Sequence, residues 1–441
     1  MKYYNLKDKT EVVDFKTATI KGQGKEKGLF FPEFIPQFDK DFIENLHQYS
    51  DEEIAFQCMK DFVGDEIPSD ILKQIVSETI NFEIPLKKIN ENMYSLELFH
   101  GPTLAFKDVG AKFMSRCLSY FLRDENKKVT VLVATSGDTG GAVANGFYKT
   151  ENINVVILYP KNRISEVQEK QLTALGENIF ALEVDGSFDD CQRLVKQAFS
   201  DQEINSTLFL TSANSINVAR WLPQQIYYLL ALKQWKKLEK ENPVICVPSG
   251  NFGNICAGIL AHFRGLPAEH FIAACNENDV VPQYLKTQKL ESKETVATLS
   301  NAMDVGNPSN FVRILEIFKN QFEDLKSKIS GYSIDDEKTL QIIKGVYEKY
   351  NYLLEPHSAV AYTAIERYLS ENQDKKGFIL GTAHPVKFPD AVEKATHITI
   401  DLPESLENLM KKKKKSTEIQ PDFAELKRFL LKTKEDEQNI S

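Results

Sequence analysis

Val244-Ile245-Cys246-Val247-Pro248-Ser249-Gly250-Asn251-Phe252-Gly253-Asn254 reads as a strand that runs directly into a glycine turn, and residues 255–263 continue in a helical pattern. Apolar residues with no polar alternation predict a strand buried on both faces, as in a parallel sheet covered by helices. Glycines let backbone approach a ligand closely, and the helix behind them offers unpaired N–H groups and the positive end of its dipole. The turn therefore suits a phosphate dianion. It contains no Lys or Arg, so a phosphate held here is held by amides. That fits a tightly bound cofactor better than a nucleotide triphosphate, which needs a Walker lysine. Taken alone, the same turn is also a plain connection in an α/β fold.

Similar apolar runs recur at Lys128-Val129-Thr130-Val131-Leu132-Val133, Val155-Val156-Ile157-Leu158-Tyr159, Phe271-Ile272-Ala273-Ala274-Cys275 and Phe378-Ile379-Leu380. They alternate with longer helical patterns from about residue 93 to 400, which predicts an α/β fold. Residues 1–92 differ, with acidic helical stretches at 51–63 and 70–79, and are expected to form a separate, mainly helical region. The remainder divides into α/β domains at 93–235 and 236–400 and a C-terminal tail at 401–441. Beyond Pro389 come a strand-like piece, His397-Ile398-Thr399-Ile400, a run of five lysines ending at Lys415, and an amphipathic helical pattern around 423–431. The lysine run reads as a solvated link between elements.

Composition narrows the function. The 441 residues are 42% hydrophobic and 27% charged, an ordinary globular balance, and 54 Lys plus Arg against 63 Asp plus Glu argue against a nucleic-acid-binding surface. No apolar run approaches the roughly 18 residues of a membrane span. The opening Met1-Lys2-Tyr3-Tyr4-Asn5 is unlike a secretory signal, so a cytoplasmic protein is expected. Six cysteines, Cys58, Cys117, Cys191, Cys246, Cys256 and Cys275, are scattered without a Cys-x-x-Cys pair. Neither a metal site nor a disulfide framework is indicated, and buried, reduced thiols are expected.

Two further strand-to-helix turns carry chemistry. Ala134-Thr135-Ser136-Gly137-Asp138-Thr139-Gly140-Gly141 is not a dinucleotide fingerprint. Hydroxyls on Thr135, Ser136 and Thr139 with helix N-terminal amides make an anion cradle suited to a carboxylate; Asp138 is alternatively only the helix cap. Gly381-Thr382-Ala383-His384-Pro385-Val386-Lys387-Phe388 places a hydroxyl, an imidazole and an amine at the carboxyl end of a strand, where open α/β sheets bind ligands. Upstream, Leu98-Phe99-His100-Gly101-Pro102-Thr103-Leu104-Ala105-Phe106-Lys107-Asp108 sets one lysine after an apolar stretch, at the start of a predicted helix. A lysine withdrawn from water has a lowered pKa and can form a Schiff base.

In that order, the segment from His100 to Asp108, Thr135 to Gly140, Pro248 to Asn254 and Thr382 to Phe388 resemble the threonine synthase family. So do Leu299-Ser300-Asn301-Ala302-Met303-Asp304-Val305-Gly306-Asn307-Pro308-Ser309-Asn310, Glu355-Pro356-His357-Ser358-Ala359-Val360-Ala361 and the N-terminal Lys27-Gly28-Leu29-Phe30-Phe31-Pro32. The resemblance implies a fold type II pyridoxal-phosphate enzyme, similar to the tryptophan synthase beta chain, with two open α/β domains and the cofactor between them. It implies conversion of O-phospho-L-homoserine and water to L-threonine and phosphate. Lys107 is then the Schiff-base lysine. Gly250, Asn251, Phe252, Gly253 and Asn254 hold the cofactor phosphate, and Thr382 faces the pyridine nitrogen. Thr135, Ser136, Gly137, Asp138 and Thr139 hold the substrate carboxylate, and Lys112, Arg163 and Lys387 are candidates for the substrate phosphate. The partner is a small molecule, with a monomer or homodimer expected and neither nucleic acid nor membrane involved. The competing readings are another lyase of the same fold, such as a threonine dehydratase or a phospho-substrate lyase, and a binding protein that has lost catalysis.

Overall fold

The computed structural model describes residues 1–123 and 128–438. Its larger sheet has six strands in the order Ile329–Ser333, His270–Cys275, Val244–Pro248, Gly377–Gly381, Met93–Glu97 and Leu86–Lys88, parallel except for the last edge strand. A smaller, all-parallel sheet has the order Thr417–Ile419, Ile179–Val184, Ile153–Pro160, Val129–Ala134 and Phe209–Thr211. The central strands are buried along their length, apart from the half-buried Ala134 at the end of Val129–Ala134, which is why they read as unbroken apolar runs.

The sheet memberships redraw the expected domains. Met93–Glu97 pairs in parallel with Gly377–Gly381, so the smaller sheet is inserted between strands of the larger one, and Leu86–Lys88 pairs with Met93–Glu97 across the expected 92/93 boundary. The helix Gln225–Leu238 also packs on the larger sheet, with Trp235 5.3 Å from Tyr94 and 5.8 Å from Phe378 between ring centroids. A parallel strand pairs across a crossover, so proximity along the chain does not reveal its neighbour.

Of the expected tail 401–441, residues 439–441 lie outside the described residues, and 401–438 are built into the fold. Thr417–Ile419 extends the smaller sheet, and from the helix Phe423–Gln438 the buried Leu426 and Leu430 join Leu182, Val184 and Leu194 in one core cluster. The lysine run takes part in this attachment, because Lys414 Nζ lies 2.7 Å from both Glu169 Oε1 and Glu183 Oε2. The expected strand at 397–400 is absent. His397, at φ 57°, ends the helix Pro389–Thr396, and the chain leaves it without a ladder partner.

The N-terminal region carries the helices Asp51–Val63 and Ser69–Thr79 and a small antiparallel sheet of Val12–Asp14, Lys2–Asn5 and Phe30–Pro32. Ser50 and Glu53 form a capping box at the first helix. Buried Arg264 fastens the region to the rest, donating to Pro36 O at 2.9 Å and Cys58 O at 2.8 Å while stacking 3.8 Å over Phe38. All six cysteines are free and buried. No helix among the described residues is long and apolar enough to cross a membrane.

Candidate active site

Lys107 opens the helix Lys107–Leu122 just beyond the carboxyl end of the strand Met93–Glu97. The approach is pinned to the 381–388 turn. Ala105 bridges Ala383, Phe106 N donates to Thr382 O at 2.9 Å, and His384 N donates to Leu104 O at 3.1 Å. Leu104 takes φ +56° to make this turn. Two segments far apart in sequence are thereby zipped together, which sets Lys107 beside the buried Thr382. Asp108 is buried and accepts Thr103 N at 2.9 Å and the Thr103 hydroxyl.

Lys107 is half-buried. Loss of water pushes its amine down to about 8, the charges of Lys387 and Arg220 push the same way, and Asp138 and Glu355 oppose them. A lysine that titrates near neutrality exchanges its proton readily, and its neutral amine is a usable nucleophile.

The 135–139 turn is organised differently from the expectation. Gly137, at φ 138°, stands at the helix cap, and Asp138 is the first helical residue. The Asp138 carboxylate lies 2.7 Å from Lys387 Nζ and accepts Gln168 Nε2 at 2.9 Å. Burial alone would raise its pKa, but the ammonium groups of Lys387 and Lys107, with the Lys387 and Gln168 hydrogen bonds, hold it well below the usual carboxylate range. Asp138 is therefore not a simple cap. The Thr135 hydroxyl is likewise committed, donating to Gly137 O at 3.1 Å and accepting Gly137 N at 3.0 Å and Gly140 N at 2.9 Å. It folds the turn instead of facing a ligand. Ser136 and Thr139 remain half-buried at the rim.

The three candidate cations separate. Lys387 is fully buried, and besides Asp138 it donates to Thr103 O at 2.8 Å. Lys112, five positions after Lys107, turns to the N-terminal region, where it donates to Asn81 Oδ1 at 2.8 Å. Arg163 is exposed in the loop between Ile153–Pro160 and the helix Glu166–Thr173.

At the 250–254 loop the left-handed residue is Phe252, at φ 61°, not either glycine, and no side chain caps the helix Gly253–Phe263 that follows. The first-turn N–H groups have no acceptor within the helix. The two asparagines of the loop are engaged by protein groups, except that Asn254 Nδ2 is buried without a partner among the described residues. Asn254 Oδ1 accepts the Tyr227 and Tyr228 hydroxyls at 2.7 Å each, and Asn251 donates to Ser215 Oγ at 2.7 Å while its Oδ1 accepts Ser309 N at 2.7 Å. A Cβ on Gly250 would stand 2.6 Å from Met303 Cα, whereas the nearest atom to one on Gly253 would be Asn310 Nδ2 at 3.3 Å.

Sequence reasoning gave no role to Gln168, Gln171, Asn310, Glu355 or His357, all of which the fold brings here. Gln171 Nε2 donates to Thr103 O at 3.0 Å. Ser165-x-x-Gln168 has the spacing of a capping box, which the structure forms, but nothing local signals that Gln168 also reaches Asp138. Asn310, Glu355 and His357 lie within stretches that carried the resemblance.

The sequence pattern described as pyridoxal-phosphate dependent enzyme matches residues 82–380, which sets the class to which this fold and site belong. The patterns of the threonine synthase N terminus and the threonine synthase C-terminal region match residues 2–80 and 358–430. Threonine synthase of Buchnera aphidicola subsp. Baizongia pistaciae is 46% identical, with 98% of this chain and 100% of that protein covered. The crystal structure of threonine synthase from Escherichia coli superposes with a TM-score of 0.91 at 44% identity, covering 98% of this chain and 100% of that one. PLP-bound threonine synthase from Brucella melitensis gives 0.91 at 35%, covering 98% and 99%. The chain belongs to the threonine synthase family.

The residues present fit pyridoxal phosphate. An amine poised near neutrality, a hydroxyl at Thr382 and an uncapped, cation-free helix N-terminus supply the donor set that the cofactor's aldehyde, ring nitrogen and phosphate require.

Proposed function

We propose that the chain converts O-phospho-L-homoserine and water to L-threonine and phosphate. The observation that carries this reading is the half-buried Lys107 amine, pushed down to about 8 and zipped to the Thr382 turn. Bound here, pyridoxal phosphate supplies a carbonyl that captures the substrate amine and a ring that stores carbanion charge. The amides of the 250–254 loop would hold its phosphate, and the Thr382 hydroxyl would serve its ring nitrogen. Lys107 takes a proton from substrate Cα and moves protons at Cβ, a task suited to an amine that titrates near neutrality. The rim hydroxyls of Ser136 and Thr139 orient the substrate carboxylate, while Thr135, Gly137 and Asp138 hold the shape and charge of that turn. Phosphate leaves from Cγ, and water adds at Cβ.

The leaving dianion needs a cation. Of Lys387, Lys112 and Arg163, we assign this to Lys387, whose charge acts on Lys107. The reading carries with it a cytoplasmic enzyme, monomeric or homodimeric. Incubating the purified, cofactor-loaded chain with O-phosphohomoserine and measuring threonine, 2-oxobutanoate and phosphate tests it. Threonine and phosphate in equal amounts support it, and 2-oxobutanoate with no threonine identifies a phospho-substrate lyase instead.

A further inference from the structure

Two stretches with no assigned role, 299–310 and 355–361, interlock behind the 250–254 loop. Glu355 is buried and caps the helix Pro356–Glu371, accepting His357 N and Ser358 N at 2.8 Å each. Its carboxylate also takes His357 Nδ1 at 2.6 Å. Nδ1 therefore bears the proton, and Nε2 is left with the lone pair that accepts Ala302 N at 3.2 Å. Both ring nitrogens are occupied, so the buried His357 has none free for proton transfer to a substrate.

Ala302 belongs to the short turn Asn301–Met303, which presses on Gly250, where a Cβ would stand 2.6 Å from Met303 Cα and 3.0 Å from Ala302 O. Asp304, next in the chain, is tied by Asn276 Nδ2 at 2.9 Å, Thr298 Oγ1 at 2.7 Å and Thr298 N at 3.0 Å. At the far end of the same stretch, Asn310 grips Asn251 O through its N at 3.2 Å and its Nδ2 at 3.1 Å. One segment thus holds the loop from both sides. The Asn310 side holds by hydrogen bonds and the Ala302 side by contact; the turn is anchored at its ends by Asp304 and by Asn276 Nδ2 on Ser300 O at 3.3 Å, and His357 braces its middle from behind.

We propose that His357, oriented by Glu355, is a positioning residue that braces the Asn301–Met303 turn against Gly250 and so sets the loop for the cofactor phosphate. The inference rests on the reading that this loop binds phosphate, and the experiment separates the two. Apo protein is titrated with pyridoxal phosphate and, separately, with pyridoxal, which lacks the phosphate, and the ratio of the two affinities is taken. His357→Leu should lower that ratio about tenfold, the cost of one lost buried hydrogen bond and a loosened loop. His357→Gln, which keeps an acceptor for Ala302 N, should recover most of it. Ala302→Pro removes the donor, and also fixes φ at 302 and restricts Asn301; it should lower the ratio at least as much as His357→Leu, and if His357→Leu does not fold, an unchanged ratio in Ala302→Pro overturns the brace. An equal loss of both affinities, or no loss in either variant, overturns the positioning role. Gly250→Val tests the loop itself. If it lowers the ratio while His357→Leu and Ala302→Pro do not, the brace alone is overturned; if it leaves the ratio unchanged, the phosphate reading falls and the brace with it.

Discussion

The ammonium of Lys387 lies 2.7 Å from the carboxylate of Asp138, with both side chains withdrawn from solvent. The pair joins the turn after Gly377–Gly381, in the larger sheet, to the helix that follows Val129–Ala134 in the smaller one. Buried pairs repay their desolvation poorly, so this contact is better explained by placement than by stability. It holds a cation beside Lys107, and it couples the two sheets at the site.

Removing one partner should leave the other charge buried and alone. Lys387→Met should cost about 3–5 kcal/mol in urea unfolding, and the double variant with Asp138→Leu should recover much of it. Activity should be lost in both. An additive double-mutant cycle would show that the two groups do not interact.

Acid should unmake the same pair. The folded pKa of Asp138 is depressed, so the unfolded chain binds the extra proton. The carboxylate's contribution is present above its unfolded value of about 3.9 and is lost progressively as pH falls below that. Unfolding free energy measured from pH 6 to 3 should fall less steeply in Asp138→Asn than in the parent protein.

Lys107 has the opposite consequence. Its folded pKa is about 8, below the roughly 10.4 of an unfolded lysine. The unfolded chain holds more protons between these values, so this residue makes the apo protein gain stability as pH rises from about 8 to 10. Competitive amine labelling of apo protein should titrate Lys107 with a midpoint near 8, and borohydride reduction of the cofactor-loaded chain should mark Lys107 in the peptide map. Lys107→Ala should retain weak cofactor binding through the loop and lose turnover.

The two loop glycines should not be equivalent. Gly250→Ala places a Cβ 2.6 Å from backbone at Met303, whereas Gly253→Ala meets a side-chain amide at 3.3 Å. Pyridoxal phosphate affinity should drop tenfold or more for the first, and change by no more than about threefold for the second.

Thr382 tests the electronics of the site. A hydroxyl cannot keep a pyridine nitrogen protonated as a carboxylate does. Thr382→Asp should shift the cofactor absorbance and the ratio of threonine to 2-oxobutanoate, while Thr382→Ser should stay within about threefold of the parent rate. The backbone carbonyl of Thr382, which accepts Phe106 N, is unaffected by either change. An unaltered Asp variant would remove Thr382 from the ring.

The α/β class, the strand-to-helix turns and the lysine at a helix start were legible in the chain, because buried strands, glycine turns and helix patterns are written in local periodicity. Folding in three dimensions set which sheet Met93–Glu97 joins, that Thr417–Ile419 completes the smaller sheet, and that the Thr135 hydroxyl is spent within its own turn. It likewise decided that Asp138 answers Lys387, and that crowding falls on Gly250 and not on Gly253. Each of these is a pairing between distant segments. A side chain's chemistry is local, but the partner that consumes or frees that chemistry is set by how the sheets and their crossovers pack.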